Sequence, residues 1–165
     1  MKKYAIAGGC FVVAAIAIFL TFFRASDEDK IKKCLSDFGK IVEVKEGDTI
    51  ISRTSRMRTK MKDVVDDDVS VNVEELHIDV RGRTKFEDDA AKAGLIYTTA
   101  SVEFVGTKLK LDQGGNVATV DTTAVVTANR GGERQADRRD VHFLLRKDGD
   151  WKITSIDVMR ASAER

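Results

Sequence analysis

A long uncharged apolar segment, residues 4–23, opens the chain directly after Lys2 and Lys3. At about 1.5 Å per residue, a helix of this length matches the hydrocarbon core of a bilayer, roughly 30 Å. The segment is longer than the apolar region of a cleaved secretory signal, about 7 to 15 residues, and Arg24 follows it in place of a small-residue cleavage site. Residues 1–25 are therefore predicted to contain one transmembrane helix. The aromatic side chains that we expect to contact the lipid bilayer are Tyr4, Phe11, Phe19 and Phe23.

Charges beside this segment predict which side of the membrane receives the rest of the chain. A short basic N-terminus before a single apolar leader usually stays in the cytoplasm, although Arg24, Lys30, Lys32 and Lys33 place positive charge after the segment too. We therefore expect a single-pass protein of the cytoplasmic membrane. Residues 26–165 then form one soluble domain on the periplasmic or extracellular side.

Apolar residues at helical spacing predict a first helix over residues 27–45. Ser26 and Asp29 form a capping pair at its start, and Gly47 follows its end. Cys34 lies among the apolar residues of this helix, so we expect a buried thiol rather than a reactive one. The apolar stripe of the helix consists of Ile31, Leu35, Phe38 and Val42.

A second amphipathic helix is predicted from Thr49 to the acidic run at residues 66–68. Basic residues occupy much of its surface, and Arg53, Arg56 and Lys60 recur at helical spacing. We expect this basic face to be solvated, and contact with anionic lipid headgroups is the alternative. The apolar stripe of the helix consists of Ile50, Met57, Met61 and Val64.

A strand is predicted over residues 69–80, where apolar and polar residues alternate. Glu74 and Glu75 interrupt the alternation, which we interpret as a bulge. Thr84 and Glu87 then form a capping box for a third helix. The apolar face of that helix consists of Phe86, Ala90, Ala93 and Tyr97.

The second half of the domain changes to period-two alternation, which is typical of strands. Glycine pairs or an Asp-Gly turn separate four such segments, and glycine supplies the positive φ that tight hairpins need. We therefore predict an antiparallel meander. Gly106 interrupts the phase of the first strand and predicts a bulge that bends the sheet. The four predicted strands cover residues 100–112, 116–129, 133–147 and 150–160.

Composition and charge exclude several kinds of site. The 28 basic residues nearly balance the 27 acidic ones, so the chain lacks the net positive charge that attracts nucleic acid. Two cysteines and two histidines are too few for a disulfide framework or a three-ligand zinc site. The glycine pairs lie between strands, where hairpins explain them better than a phosphate-binding loop. We therefore expect no metal, no cofactor and no nucleic acid partner.

The order of these elements resembles the nuclear transport factor 2-like superfamily. Two helices, a strand, a third helix and a long meander, whose last strand starts Asp150-Trp151-Lys152-Ile153, carry the resemblance over about residues 27–159. The resemblance implies a cone-shaped α+β fold, in which three N-terminal helices pack on a bent antiparallel sheet. The residues that we then expect to line the interior of the cone are Phe38, Met57, Met61, Phe86, Tyr97 and Phe104.

This superfamily includes ketosteroid isomerase, polyketide cyclases, dehydratases and modules without catalysis, so the resemblance does not choose a function. An isomerase needs a carboxylate base opposite a hydrogen-bond donor, but strand alternation places Asp121 and Asp140 away from the apolar rows. We therefore predict no catalytic residue, and a membrane-tethered module that binds a protein partner or a small apolar ligand, within an envelope assembly. The alternative is an isomerase, cyclase or dehydratase acting in the cone pocket. Its candidate residues are Tyr97, Asp121, Asp140 and His142.

One row of the third meander strand predicts self-association. Arg138, Asp140, His142, Leu144 and Arg146 share this row, which mixes charges of both signs with one leucine. Such a face suits a polar two-fold contact between two copies of the chain. The resemblance points the same way, since many members of the superfamily pair through their sheets. We therefore predict a homodimer through the sheet.

Overall fold

The computed structural model describes residues 26–161. The chain divides into two units, one ending at Lys30 and the other beginning at Ile31, and the packing described below lies within the second. The predicted transmembrane segment, residues 4–23, falls outside the described residues. Among residues 26–161, no helix is both long and apolar enough to cross a bilayer.

Three α-helices lie in the described part of the chain, and a short 3-10 turn extends the second and the third. Ser26 caps the first helix as predicted, because its hydroxyl accepts a bond from the Asp29 N–H (3.2 Å) and donates one to the Asp29 carboxylate (2.7 Å). The helices are α1, Asp27–Val42; α2, Ile50–Lys60, continued by Met61–Asp63; and α3, Arg83–Lys92, continued by Ala93–Leu95.

Six strands of the described residues form one sheet in the order β2-β1-β6-β5-β4-β3. The four strands of the predicted meander are confirmed, each with both ends within one residue of the prediction. Gly106 has φ +66° and coincides with a register shift between β3 and β4, which confirms the predicted bulge. The strands are β1, Val65–Val73; β2, Ile78–Arg81; β3, Thr99–Leu111; β4, Val117–Arg130; β5, Glu133–Asp148; and β6, Asp150–Arg160.

The predicted single strand over residues 69–80 is wrong, because this segment is a hairpin of β1 and β2. Glu74–Leu76 form a 3-10 turn and His77 adopts the left-handed conformation, φ +51°, which reverses the chain. We predicted an antiparallel sheet, but one of its strand pairs is parallel. The meander leaves one edge of β6 unpaired, and β1 occupies that edge in the parallel direction, which alternation alone does not encode.

Four helix boundaries differ from the predictions. Helix α1 ends at Val42 instead of residue 45. The acidic run at residues 66–68 belongs to β1 rather than to the end of α2. Helix α3 begins at Arg83 without a side-chain cap, so the predicted capping box of Thr84 and Glu87 is wrong. Instead, Glu87 is buried and its carboxylate pairs with Arg83 (3.2 Å). Tyr97 follows the 3-10 turn and therefore lies beyond the helix on which it was expected.

The hydrophobic core fills the space between the helices and the inner face of the sheet. Met57 and Met61 of α2 are fully buried in it, and so is Phe143 of β5. The Cys34 thiol is also buried and donates to the Trp151 carbonyl (3.3 Å). Burial raises the pKa of Cys34 to about 12, so the group stays a neutral thiol, as the sequence predicts.

A fully buried arginine joins the C-terminal ends of two helices. The Arg53 guanidinium of α2 donates to the carbonyls of Glu43 (2.5 Å) and Val42 (3.4 Å) at the end of α1. It also donates to the carbonyls of Ala90 (2.8 Å) and Ala91 (3.1 Å) in the last turn of α3. The Glu43 carbonyl also accepts from Arg56 (2.8 Å), and the Ala90 and Ala91 carbonyls accept from the Ala93 N–H, so Arg53 adds hydrogen bonds that link the end of α1 to the end of α3.

The solvated basic face predicted for α2 is therefore wrong at Arg53 and at Arg56. Arg56 is largely buried and binds both oxygens of the Asp48 carboxylate (2.6 and 3.0 Å). This bond holds the pKa of Asp48 at about 2, so the carboxylate is ionised near neutral pH and offsets one of the two positive charges. Gly94 provides the room for Arg53, because a Cβ at that position would lie 2.6 Å from the Arg53 Cδ.

We predict that Arg53→Met lowers the free energy of unfolding of the full chain by about 3 to 5 kcal/mol, because the four hydrogen bonds from a buried charged donor to the ends of α1 and α3 are lost. Arg58→Met is the matched control, since Arg58 lies on the same helix with an exposed side chain and should cost less than about 0.5 kcal/mol. Urea unfolding in a mild detergent, followed by the fluorescence of Trp151, measures both. Equal stability of the two variants would contradict this structural role of Arg53.

Candidate functional site

An apolar cavity of about 350 Å³ lies between the helices and the inner face of the sheet. Helices α1 and α3 form one wall, and strands β1, β3, β4, β5 and β6 form the other. This volume lies at the lower end of the range of small-molecule sites, about 300 to 1,000 Å³. The hydrophobic wall residues on the sheet are Val71, Val73, Ala100, Val102, Phe104, Ala124, Val126, Val141, Phe143, Ile156 and Val158. Those on the helices are Phe38, Val42, Phe86, Ala90 and Ala93.

Four phenylalanine rings in contact form the aromatic part of the wall. Phe38 stacks on Phe86 with ring centroids 6.1 Å apart, and meets Phe143 edge to face at 6.0 Å. Phe104 and Phe143 form a second edge-to-face pair at 5.3 Å. Because such pairs hold their rings in fixed orientations, this part of the wall is rigid and apolar.

Polar side chains contribute little to the wall. Glu43, Ser101 and Arg139 are the polar residues that touch the cavity within the described chain. The two charged residues do not converge: Val44, next to Glu43, pairs with Ala100 on β3, whereas Arg139 lies on β5. The register places these positions about 13 Å apart along the strands, four residues at roughly 3.3 Å each, and on opposite sides of β4.

Arg139 forms the charged part of the rim. Its Nη2 lies 3.0 Å from the Glu75 carboxylate and 2.9 Å from that of Asp137, and its side chain is 31% exposed. The guanidinium therefore borders both the cavity and solvent. The sequence carries a signal for this residue, since Arg139 occupies the same row of β5 as Val141 and Phe143, yet our sequence analysis did not select it.

The residues predicted to line the interior fall into two groups. Phe38, Phe86 and Phe104 touch the cavity. Met57 and Met61 lie in the core outside it, because α2 packs away from the sheet wall that bounds the cavity. The sixth residue of that prediction, Tyr97, is also outside the set of wall residues in the described chain, since it follows the end of the α3 segment.

The remaining residues of the enzyme alternative lie on the outer face of the sheet. His142 Nδ1 is 2.7 Å from the Asp121 carboxylate, and the Asp140 carboxylate accepts a bond from the Thr123 hydroxyl (3.0 Å). None of Tyr97, Asp121, Asp140 and His142 touches the cavity within residues 26–161. Within residues 26–161, no three metal-ligating side chains form a cluster.

Other charges of this outer face also have partners in the same chain. Arg146, in the same row as Arg138 and His142, donates to the Asp66 carboxylate of β1 (3.0 Å). The face therefore presents a polar surface whose ion pairs are partly satisfied within one copy. Pairing of two copies through it stays a prediction.

Comparison with known proteins shows the fold. No family model matches the chain, and no curated protein matches its sequence. Among solved structures, a nuclear transport factor 2-like superfamily protein from Salmonella enterica is similar, with a TM-score of 0.65 and 12% identity, over 84% of this chain and 94% of that one.

Two proteins from Novosphingobium aromaticivorans are also similar. A nuclear transport factor 2-like protein with a cystatin-like fold has a TM-score of 0.64 and 13% identity, over 92% of this chain and 90% of the other. A putative scytalone dehydratase has a TM-score of 0.63 and 12% identity, over 81% of this chain and 83% of the other. At these identities the similarity concerns the fold alone. The described residues therefore have an α+β, nuclear transport factor 2-like fold, with three helices on a six-stranded sheet.

Proposed function

We propose that this protein is a membrane-tethered, non-enzymatic module that binds a small apolar ligand in the cavity. The observation that carries the proposal is the wall, which is apolar apart from three residues and is fixed by paired phenylalanine rings. A ligand that buries about 200 Å² of apolar surface there would gain about 5 kcal/mol before the costs of association. Affinity would then depend on shape and apolar area more than on hydrogen bonds.

The same wall argues against catalysis. Proton abstraction beside a carbonyl needs a base and a hydrogen-bond donor that reach the same substrate atoms. Glu43 and Arg139, the charged residues of the wall, lie on opposite sides of β4, and their backbones are too far apart to act on one small group. The enzyme alternative therefore has no convergent pair in the described part of the cavity.

The tether rests on the uncharged segment of residues 4–23. Small apolar molecules concentrate in bilayers, so a binding domain held at the membrane surface meets its ligand at a high local concentration. With the basic N-terminus in the cytoplasm, the domain lies on the periplasmic or extracellular side of the cytoplasmic membrane.

Filling the cavity should abolish binding. We predict that Ala124→Leu lowers photolabelling of the cavity wall by at least tenfold, because the new side chain occupies the space of the ligand. The probe is a neutral ten-carbon alcohol with a diazirine on its tail, applied to membranes that contain the full chain. Ala136→Leu, on an exposed position of β5, is the matched control and should label normally. Equal labelling of both variants would refute the cavity as the binding site.

We predict that the polar residues of the enzyme alternative are individually dispensable. Tyr97→Phe, Asp121→Asn, Asp140→Asn and His142→Gln should each keep cellular function and alcohol labelling within about twofold, because these side chains lie outside the cavity. Complementation of a deletion strain and the photolabelling assay measure the two properties. Complete loss of function in one variant with an unchanged melting temperature would favour the enzyme alternative.

The topology has its own test. An alkaline phosphatase fused after Arg165 should be active and remain in the membrane fraction, because the predicted anchor exports the domain and stays attached. A fusion to a cytoplasmic reporter serves as the control and should be inactive. A mature chain that starts near Ser26 would show instead that the leader is cleaved.

A further inference from the structure

Two arginines lie side by side at the rim of the cavity with one carboxylate between them. Arg139 of β5 and Arg160 of β6 are directly opposite each other in the sheet. Like charges in this arrangement destabilise a strand pair unless an anion separates them. Glu75, from the turn between β1 and β2, supplies that anion: one of its oxygens lies 3.0 Å from Arg139 Nη2 and the other 2.6 Å from Arg160 Nε.

Of this pair, Arg139 is the residue that also touches the cavity. An anion bound to its guanidinium would therefore stand where the apolar space meets solvent. We propose that the cavity binds an amphipathic monocarboxylate, whose hydrocarbon body occupies the apolar space and whose carboxylate binds Arg139 in place of Glu75. This inference rests on the proposed function and names the chemical class of its ligand.

The charges of the rim favour a single negative charge on the ligand. Arg139, Arg160, Glu75 and Asp137 together sum to zero, since two cations face two carboxylates. Displacement of Glu75 leaves the other three with a net charge of +1, which one ligand carboxylate neutralises. A dianionic phosphate would leave the rim with excess negative charge, next to Asp137. A guanidinium also matches the two oxygens of a carboxylate in bidentate geometry.

The segment that carries Glu75 is exposed to solvent. Within Glu74–Leu76 no residue is buried, and the Leu76 side chain is 66% exposed. His77 follows in the left-handed conformation, which is unfavourable for a residue with a side chain. Glu75 therefore acts as an internal competitor on an exposed turn. It occupies the anion site in the empty protein, and a ligand carboxylate takes its place at little cost in packing.

The test compares two photoreactive probes on the full chain in membranes: the ten-carbon alcohol described above and the matching carboxylic acid. The concentration that gives half-maximal labelling of the cavity wall is measured for each. Arg139→Gln should raise this concentration about tenfold or more for the acid and less than twofold for the alcohol. Glu75→Gln should lower it several-fold for the acid alone, because the competing carboxylate is gone. Arg138→Gln, the neighbouring residue on the outer face, is the matched control and should change neither.

The outcomes separate the two proposals. Labelling by the alcohol with no effect of Arg139→Gln on the acid would overturn the carboxylate inference and leave the apolar site intact. Labelling of the wall by neither probe in the natural protein would overturn both. If the Arg139→Gln variant unfolds and is therefore labelled by neither probe, the Glu75→Gln variant provides the test. An unchanged ratio of acid to alcohol labelling in that variant would overturn the inference.

Discussion

The helical layer of this protein depends on one buried guanidinium. Arg53 lies where α1 and α3 both end, and its guanidinium donates to backbone carbonyls of both helix ends. The ends of these two helices are also cavity walls, since Val42 and Ala90 contribute both a carbonyl to Arg53 and a side chain to the cavity. The width of the cavity therefore depends on a polar contact at the ends of these two helices.

The cavity itself results from the distribution of side-chain sizes. Phenylalanines from four elements fill one part of the interior, whereas alanines face each other from α3 and the sheet in the remainder. Ala90, Ala93 and Ala124 leave between them a volume that leucine at the same positions would fill. A core packed to ordinary density would be more stable. The small residues thus reduce the packing contacts around the cavity, and the phenylalanine pairs keep its other wall in place.

The sequence predicted what depends on neighbouring residues and missed what depends on distant ones. The strands β3 to β6 were predictable because alternation and glycine turns act within a few positions, and Ser26 with Asp29 is equally local. Arg53 was misread as solvated, since its partners Ala90 and Ala91 lie almost forty residues away and are backbone atoms without a sequence signature. Three other features also depend on contacts between distant parts of the chain and were not predicted. They are the parallel pairing of β1 with β6, the hairpin at His77 and the position of Arg139 on the rim.

The burial of Cys34 has a consequence for how the thiol reacts before and after folding. A thiol whose pKa lies near 12 is almost never a thiolate, and its sulfur is covered by the strands that it contacts. It therefore neither attacks the disulfides of other proteins nor accepts a mixed disulfide once the domain is folded. In the folded domain the Cys34 sulfur contacts the carbonyls of Val64 and Trp151. Correct folding is thus what protects this cysteine, and a destabilised chain would expose it to oxidative trapping.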